Sequence, residues 1–483
     1  MTRQEILKGF FGISLLLGLS LGAMAVLFRL NALPDLAKIL PADDTVVFVM
    51  VDKSAALSIL KEKIPLSTQA WVDRVGWAKV GDSTATFLQV NSSQDADHYL
   101  ASLKSQDETL STARATRSLW SGVTCYSLSQ NPCYTWVGGL LVLSDDETLL
   151  QTIQKVAAKE EPSLRQNPDY QNVDSRLASW NGGMAYVNLK KILPAPFDFF
   201  PAIGVSMQSA NDIWTMESFL SVDKSLLNGE SYWHPSQKYE ARFLPWTPGT
   251  LAFEWGGRDS GSQAQKMDTL VRLRDSTLEG LLHTQLQTKL EKLFGPVDFT
   301  TELAPLLSGE QYFGFTPSAD FLFLTQLDSN DEIQKALDLK DRFGGNYLFL
   351  KTFQTESGET QGRFVPLTQS TGQYQNYQYY EFTAEGEEVA TVLVTEDTAI
   401  VSGKQQTAFD TVDRMKGLTA ARPLDSFTPL LPGATELWSV HCQLLSDGSI
   451  LGSLLAGLDT FTAARKLFDD GIFTRSTLTV THD

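Results

Sequence analysis

The feature that most constrains this chain is an uncharged, apolar run near its N-terminus, from Gly9 to Phe28. A helix of about twenty apolar residues matches the thickness of the hydrocarbon core of a bilayer. Arg3 and Lys8 precede the run, and the region after it is acidic on balance. Because cytoplasmic flanks carry the excess of basic residues, we predict a cytoplasmic tail at 1–8, a transmembrane helix at 9–28 and an extracytoplasmic body. The predicted location is the cell membrane, with a single pass.

A cleaved signal peptide is the alternative interpretation of this run. Ala23-Met24-Ala25 has the A-x-A form of a cleavage site. The apolar run continues for three residues beyond that site, which favours an anchor.

The same run contains a candidate helix contact. Ser14, Gly18 and Gly22 recur every four residues. This spacing places small residues on one helix face, where a second helix can approach closely. The sequence therefore offers a homodimer contact within the membrane, although glycine is also common in such helices for reasons of composition.

The body is long enough for more than one core. The chain has 483 residues, of which 42% are hydrophobic and 20% charged, so it has the composition of globular domains and the length of two or three. Its net charge of −18 would repel phosphate backbones and anionic lipid headgroups. Nucleic acid is therefore not an expected partner.

The order of apolar segments repeats along the body. A strand at Leu140–Ser144 followed by a helix at Glu147–Val156 parallels a strand at Ala399–Ser402 followed by a helix at Gln405–Met415. Repetition of this kind indicates a duplicated structural unit.

We therefore predict a juxtamembrane spacer at 29–39, a first unit at 40–239 and a second unit at 244–483. Strands joined by short turns favour mostly antiparallel sheets with helices packed on one face. The predicted fold class is thus α+β, with an N-terminal transmembrane helix.

Several short motifs resemble those of a bacterial family of anchored, exported proteins with a domain of unknown function, whose domains open with an "LPADT"-like strand. These motifs are Leu40–Thr45 (LPADDT), Ser163–Tyr170, Ala185–Asn188, Val297–Phe299 and Leu306–Glu310. The resemblance spans most of the body and implies architecture and location. It brings no activity, cofactor or catalytic residue.

No set of residues has the spacing that a catalytic or metal centre requires. None of the five histidines lies in an H-E-x-x-H arrangement, and Ser58 and Lys61 fit an S-x-x-K pattern without its companion motifs. Asp328, Asn330 and Glu332 alternate like the start of a calcium loop but lack its glycine, so helix capping explains them better. We predict no catalytic residue, metal ligand or cofactor.

Cys125 and Cys133 form a candidate disulfide. They bracket a polar stretch containing Ser-Gln-Asn-Pro, and a turn there would bring them together across a hairpin. Two unbonded strand cysteines are the alternative.

Four tyrosines among glutamines form a candidate binding patch: Tyr374, Tyr377, Tyr379 and Tyr380. Exposed aromatic rings stack on sugars or anchor protein partners. The corresponding strand of the first unit has Val123 in place of Tyr377, which favours one face of a structural strand instead.

Together these features predict a non-catalytic envelope protein that binds another protein or a wall polymer, or acts as a scaffold. A carboxylate-dependent hydrolase is one alternative, and it requires two acidic side chains that converge in a cleft, one with a raised pKa. A solute-binding or sensory module that uses the junction of the two units is the other.

Overall fold

The computed structural model describes most of the body. The described ranges are 36–52, 72–90, 94, 115–117, 123–126, 133–137, 139–178, 183–193, 197–210, 213–227, 239–248, 251–274, 281–317, 320–354, 360–423, 433–441 and 458–480. No helix within these ranges is long and apolar enough to cross a membrane. The predicted helix at 9–28, with Ser14, Gly18 and Gly22, lies outside them and stays a prediction.

The described residues fall into two compact units. The first unit ends at Ser225 and also takes Asp470–Phe473, and the second comprises Leu226–Asp469 and Thr474–Asp483. Residues 240–243, which lie between the two predicted units, therefore belong to the second, as does Tyr239, which the prediction places at the end of the first.

An antiparallel sheet forms the first unit. Its described strands are β1 (Thr45–Asp52), β2 (Val72–Val80), β3 (Ser83–Val90), β4 (Ala115–Arg117), β5 (Thr124–Tyr126), β6 (Cys133–Val137), β7 (Leu140–Ser144), β8 (Gly183–Asn188), β9 (Ala202–Ala210) and β10 (Ile213–Ser221). They pair in the order β4-β5-β6-β7-β3-β2-β1-β8-β9-β10. The helices α1 (Glu147–Ala157) and α2 (Pro168–Arg176) pack against it.

Helix α1 forms where the sequence supplies both a cap and an apolar stripe. Asp146 accepts hydrogen bonds from the backbone N–H groups of Thr148 and Leu149, which satisfies two donors at the helix start. Leu150 and Ile153 are spaced by three residues on one face and are fully buried. The cap and the stripe thus fix where the helix begins and which side faces the sheet.

Two of the motifs behind the family resemblance contact each other in the first unit. Pro41 forms a β-bridge with Ser163, and the Leu164 N–H donates to the Leu40 carbonyl at 2.7 Å. The Asn167 side chain caps α2 and donates to the carbonyl of Ala42 at 3.0 Å. These motifs therefore have a structural role at the start of β1.

The described strands of the second unit are β11 (Phe253–Arg258), β12 (Glu310–Phe315), β13 (Phe321–Gln326), β14 (Leu348–Gln354), β15 (Thr360–Pro366), β16 (Thr368–Tyr374), β17 (Tyr377–Ala384), β18 (Glu387–Val394), β19 (Thr398–Ser402), β20 (Glu436–His441), β21 (Leu458–Phe468) and the part of β22 (Gly471–Val480) that begins at Thr474. Nine of them pair antiparallel in the order β16-β17-β18-β19-β13-β12-β11-β20-β21. Strand for strand, this order corresponds to β4-β5-β6-β7-β3-β2-β1-β8-β9 of the first unit. Strands β14 and β15 pair only with each other among the described residues.

The described residues of the second unit include four α-helices: α3 (Ser260–Arg274), α4 (Leu281–Phe294), α5 (Asn330–Asn346) and α6 (Gln405–Met415).

The predicted α+β fold class is wrong. Strands account for 46% of the described residues and helices for 30%, so antiparallel sheet dominates in this part of the chain. Helices also lie on both faces in the second unit: Ala408 of α6 packs in one core cluster with Ile400, and Leu339 of α5 packs in another with Ala399. Ala399 and Ile400 are adjacent on β19, so their side chains point to opposite faces. Periodicity identifies an apolar helix stripe but not the sheet face that it covers.

Candidate functional site

Strands β14 and β15 form a hairpin, which we call the arm. Among the large apolar side chains of the described residues, three of the most exposed lie on it: Leu348 is 48% exposed, Phe353 43% and Phe364 63%. Clustered exposed apolar side chains mark interaction sites more often than scattered ones do.

The register of the arm places apolar side chains on both faces: Phe349, Phe353 and Val365 share one face, and four others share the opposite face. Leu350 lies opposite Phe364, and Leu348 lies opposite Pro366. Because directly opposed and alternate residues share a face, these four side chains point to the same side. The remaining positions of this face are Thr352, Gln354, Thr360 and Gly362, so the face carries no charge. We call it the outer face of the arm.

Ion pairs hold the opposite face of the arm to the turn between β17 and β18. The Arg363 guanidinium lies 2.6 Å from the Glu385 carboxylate, and the Lys351 ammonium lies 3.4 Å from Glu385 and 3.1 Å from Glu387. The hydrogen bond from Arg363 lowers the pKa of Glu385, and the one to Glu387 raises the pKa of Lys351. Val365, on the same side, is 7% exposed. The arm is thus held by ion pairs on one side, although Phe353 at the end of that face is 43% exposed, and it is open on the other side.

Three tyrosines of the predicted patch pack beside α6. The Tyr374 ring stacks on Phe409 at 3.8 Å between centroids, and its hydroxyl donates to Asp413 at 2.9 Å. Tyr379 meets Phe409 edge to face, and Tyr377 joins the same core cluster. All three are half-buried.

Tyr380 lies on the opposite face of the sheet. The Lys340 ammonium of α5 sits 3.5 Å from the centre of its ring, and Lys340 itself is 6% exposed. The four tyrosines therefore do not form one surface, because successive residues of β17 point to alternate faces.

The backbone register of β5 and β6 places residue 125 directly opposite Cys133. Cys133 is disulfide-bonded. The pairing of Cys125 with Cys133 stays a prediction that this register supports.

A buried polar cluster lies on the sheet of the second unit, formed by Tyr239, Glu254, Glu310, Tyr312 and Arg422. The Arg422 guanidinium donates two hydrogen bonds to the Glu254 carboxylate, at 2.5 and 2.9 Å. The Tyr312 hydroxyl also donates to Glu254, at 2.9 Å. Burial raises the pKa of Glu310 and, more strongly, those of Tyr239 and Tyr312.

This cluster contains a carboxyl group with a raised pKa, as a hydrolase needs, but a substrate cannot reach it. Glu254 and Glu310 are each only 1% exposed. Glu254 is neutralised by Arg422, and Glu310 accepts hydrogen bonds from two backbone N–H groups. The arrangement serves to join chain segments, and it gives the hydrolase alternative no site that substrate could reach.

The calcium-like stretch caps a helix. Ser329 is the N-cap of α5 and accepts from the Glu332 N–H at 3.2 Å, while the Glu332 carboxylate accepts from the Asp328 N–H at 2.6 Å. This reciprocal pattern confirms helix capping. Within the described part of the chain, no group of three or more potential ligands could hold a metal ion.

Sequence reasoning missed both the arm and the buried polar cluster. The apolar alternation of β14 resembles that of any half-buried strand. The members of the cluster are far apart in sequence and have no characteristic spacing. A buried glutamate in a strand pattern, such as Glu254 in Phe253–Arg258, is the one available signal.

No family model matches this chain, and no curated protein matches it in sequence. Crystal form IV of TP0453 is similar to part of it, with a TM-score of 0.29 and 9% identity over 38% of this chain and 79% of that chain. Crystal form III of TP0453 gives a TM-score of 0.27 and 8% identity over the same shares. Likeness at this level carries no argument about fold or function.

Proposed function

We propose that this protein is a non-catalytic, membrane-anchored binding module whose body is extracytoplasmic and whose arm contacts a protein partner. The arm carries the proposal, because it exposes an uncharged, apolar outer face while its other face is held in place. A pre-positioned surface loses little conformational freedom on binding.

A protein partner fits the outer face better than a wall polymer or a lipid surface does. The most exposed apolar side chains of this face, Leu348 and Phe364, can fill apolar pockets of another protein. They supply no hydrogen bonds for sugar hydroxyl groups, and this face offers such bonds only through Thr352, Gln354 and Thr360. The net charge of −18 repels anionic polymers and anionic headgroups. The anchor proposal rests on the apolar run at 9–28 and on the family resemblance.

Site-specific photocrosslinking in cells tests the arm. A photoreactive amino acid replaces Phe364 in the full-length protein, and the matched control places it at Leu418, which is 58% exposed elsewhere in the same unit. We expect a discrete protein adduct from position 364 and none from position 418. Adducts to polymer alone, or equal adducts at both positions, would overturn the proposal.

External protease on intact cells tests the location separately. The body should be cleaved while the protein fractionates with membranes and needs detergent for release. Resistance of the body in intact cells, with cleavage only after lysis, would contradict the proposed topology.

A further inference from the structure

Strand β16 lies at one edge of the sheet in the second unit. Its seven residues, Thr368–Tyr374, pair with β17 without a bulge, from Thr368 opposite Thr383 to Tyr374 opposite Tyr377. Within the described part of the chain, no strand pairs with its other side. A row of backbone N–H and C=O groups therefore faces outward along β16, and such a row is a template for another strand.

This edge lacks the features that usually keep an edge strand from pairing. The segment 368–374 contains no charged residue and no proline, and five of its seven residues are exposed. The corresponding strand of the first unit, β4, has three described residues, one of which is Arg117. A short length and a charge both discourage pairing at an edge. The two units therefore differ in how well this edge is protected.

The turn that follows β16 and the helix beside it hold the end of the strand in place. Gln375 and Asn376 both have positive φ, 51° and 70°, as in the two-residue turns that match the twist of a hairpin. The Lys416 ammonium donates to the Gln375 carbonyl at 2.5 Å, and the Tyr374 ring stacks on Phe409. An edge that is already fixed loses little conformational freedom when it pairs.

We propose that β16 pairs antiparallel with β16 of a second copy of this chain, about a two-fold axis at Thr371. This is the symmetric register that pairs all seven residues. Thr371 lies opposite its own copy, and Gln369 lies opposite Gln373, so the glutamine amides can donate and accept across the pair. Alternate pairs exchange two backbone hydrogen bonds each, which gives about six to eight bonds. A typical whole interface has about ten.

The net charge of −18 does not oppose pairing at this edge. Glu381 of β17 lies opposite Ser370 and accepts a hydrogen bond from its hydroxyl at 2.8 Å. Three spacings between strands, about 14 Å, would separate Glu381 from its copy. That distance exceeds the Debye length of about 8 Å in physiological salt, so the repulsion is screened. An uncharged strand that matches itself in this way favours a second copy over a foreign strand.

Cysteine crosslinking of the full-length protein in cells tests the register. In Thr371→Cys the two opposed Cα atoms would lie about 5 Å apart, within the range of a disulfide. Two copies of Gln369→Cys, or of Gln373→Cys, would lie about 14 Å apart, which is too far. After mild oxidation, and above the wild-type background, we expect at least about fivefold more linked dimer from Thr371→Cys than from either of these variants alone. Co-expression of Gln369→Cys with Gln373→Cys should restore the link.

Thr371→Lys provides a second variant, because it places two like charges opposite each other on the two-fold axis. It should lower the yield of dimer linked through co-expressed Gln369→Cys and Gln373→Cys by about twofold to fivefold. Leu418→Lys, at a residue that is 58% exposed elsewhere in the unit, is the matched control and should not change that yield.

Equal linking by all single cysteine variants would overturn the pairing. Attachment of Thr371→Cys to a different protein, identified by mass spectrometry, would also overturn it. The pairing goes beyond the proposed function and does not depend on the arm, so this test and the photocrosslinking test fail separately.

Discussion

Replacement of Arg422 should destabilise the second unit, because it leaves the buried Glu254 carboxylate without its cation. In Arg422→Met the aliphatic chain retains part of its packing, but the Glu254 carboxylate, 1% exposed, loses both charge-assisted hydrogen bonds. Breaking a buried pair on one side typically costs about 3–5 kcal/mol. With an unfolding slope of about 2–3 kcal/mol per M of urea, the urea midpoint of the second unit should fall by about 1–2.5 M.

Urea unfolding of the full-length protein in detergent, followed by circular dichroism, measures that shift. Arg342→Met is the matched control, since its ion pair with Glu302 is partly solvated and should be worth about 0.2–1 kcal/mol. Adding Glu254→Gln to Arg422→Met removes the unpaired charge and should restore part of the loss. A loss below about 1 kcal/mol in Arg422→Met, or a double variant less stable than the single one, would refute the argument.

Three further predictions concern other contacts. Gly256→Ala should destabilise the second unit by about 1–3 kcal/mol in urea unfolding, because a Cβ would overlap the Tyr239 hydroxyl; an unchanged midpoint would show that the ring moves freely. Ser329→Ala should cost about 1 kcal/mol and increase hydrogen exchange in the first turn of α5; exchange confined to its last turn would argue against the cap. The Asp146 pKa is lowered chiefly by the hydrogen bond from Ser83, so its contribution is present above the ordinary carboxyl pKa and is lost as the pH falls through the lowered value. Thermal unfolding of Asp146→Asn should therefore depend less on pH between about 2 and 4 than that of the wild type, and parallel curves would contradict this.

Local patterns in the sequence located individual elements well. The predicted helix at Glu147–Val156 is confirmed as Glu147–Ala157, and the predicted helix at Gln405–Met415 is confirmed with the same bounds. The strand at Leu140–Ser144 is also confirmed. In each case a cap or a dense apolar stripe lies within a few residues, where periodicity is informative.

Features that depend on contacts between distant segments could not be predicted from local sequence patterns. Leu348 and Phe364 have the alternation of buried strand residues, and only the register shows that they share an open face. The prediction of the fold class failed for the same reason, because the face of the sheet that a helix covers depends on contacts between distant segments. The tyrosines of β17 lie on two faces, which makes them part of two cores instead of one patch.

The most direct test of the arm compares partner capture by two variants of the full-length protein. Leu348→Ser combined with Phe364→Ser removes the exposed apolar side chains of the outer face, and Leu418→Ser removes one of similar exposure elsewhere. The amount of the crosslinked partner that co-purifies from cells is then measured, with urea midpoints to verify that both variants are folded. We predict that the arm variant captures about tenfold less partner, which corresponds to about 1.4 kcal/mol of binding free energy. Leu418→Ser should capture as much partner as the wild type. Equal capture by both variants would contradict the claim that the arm is the binding surface.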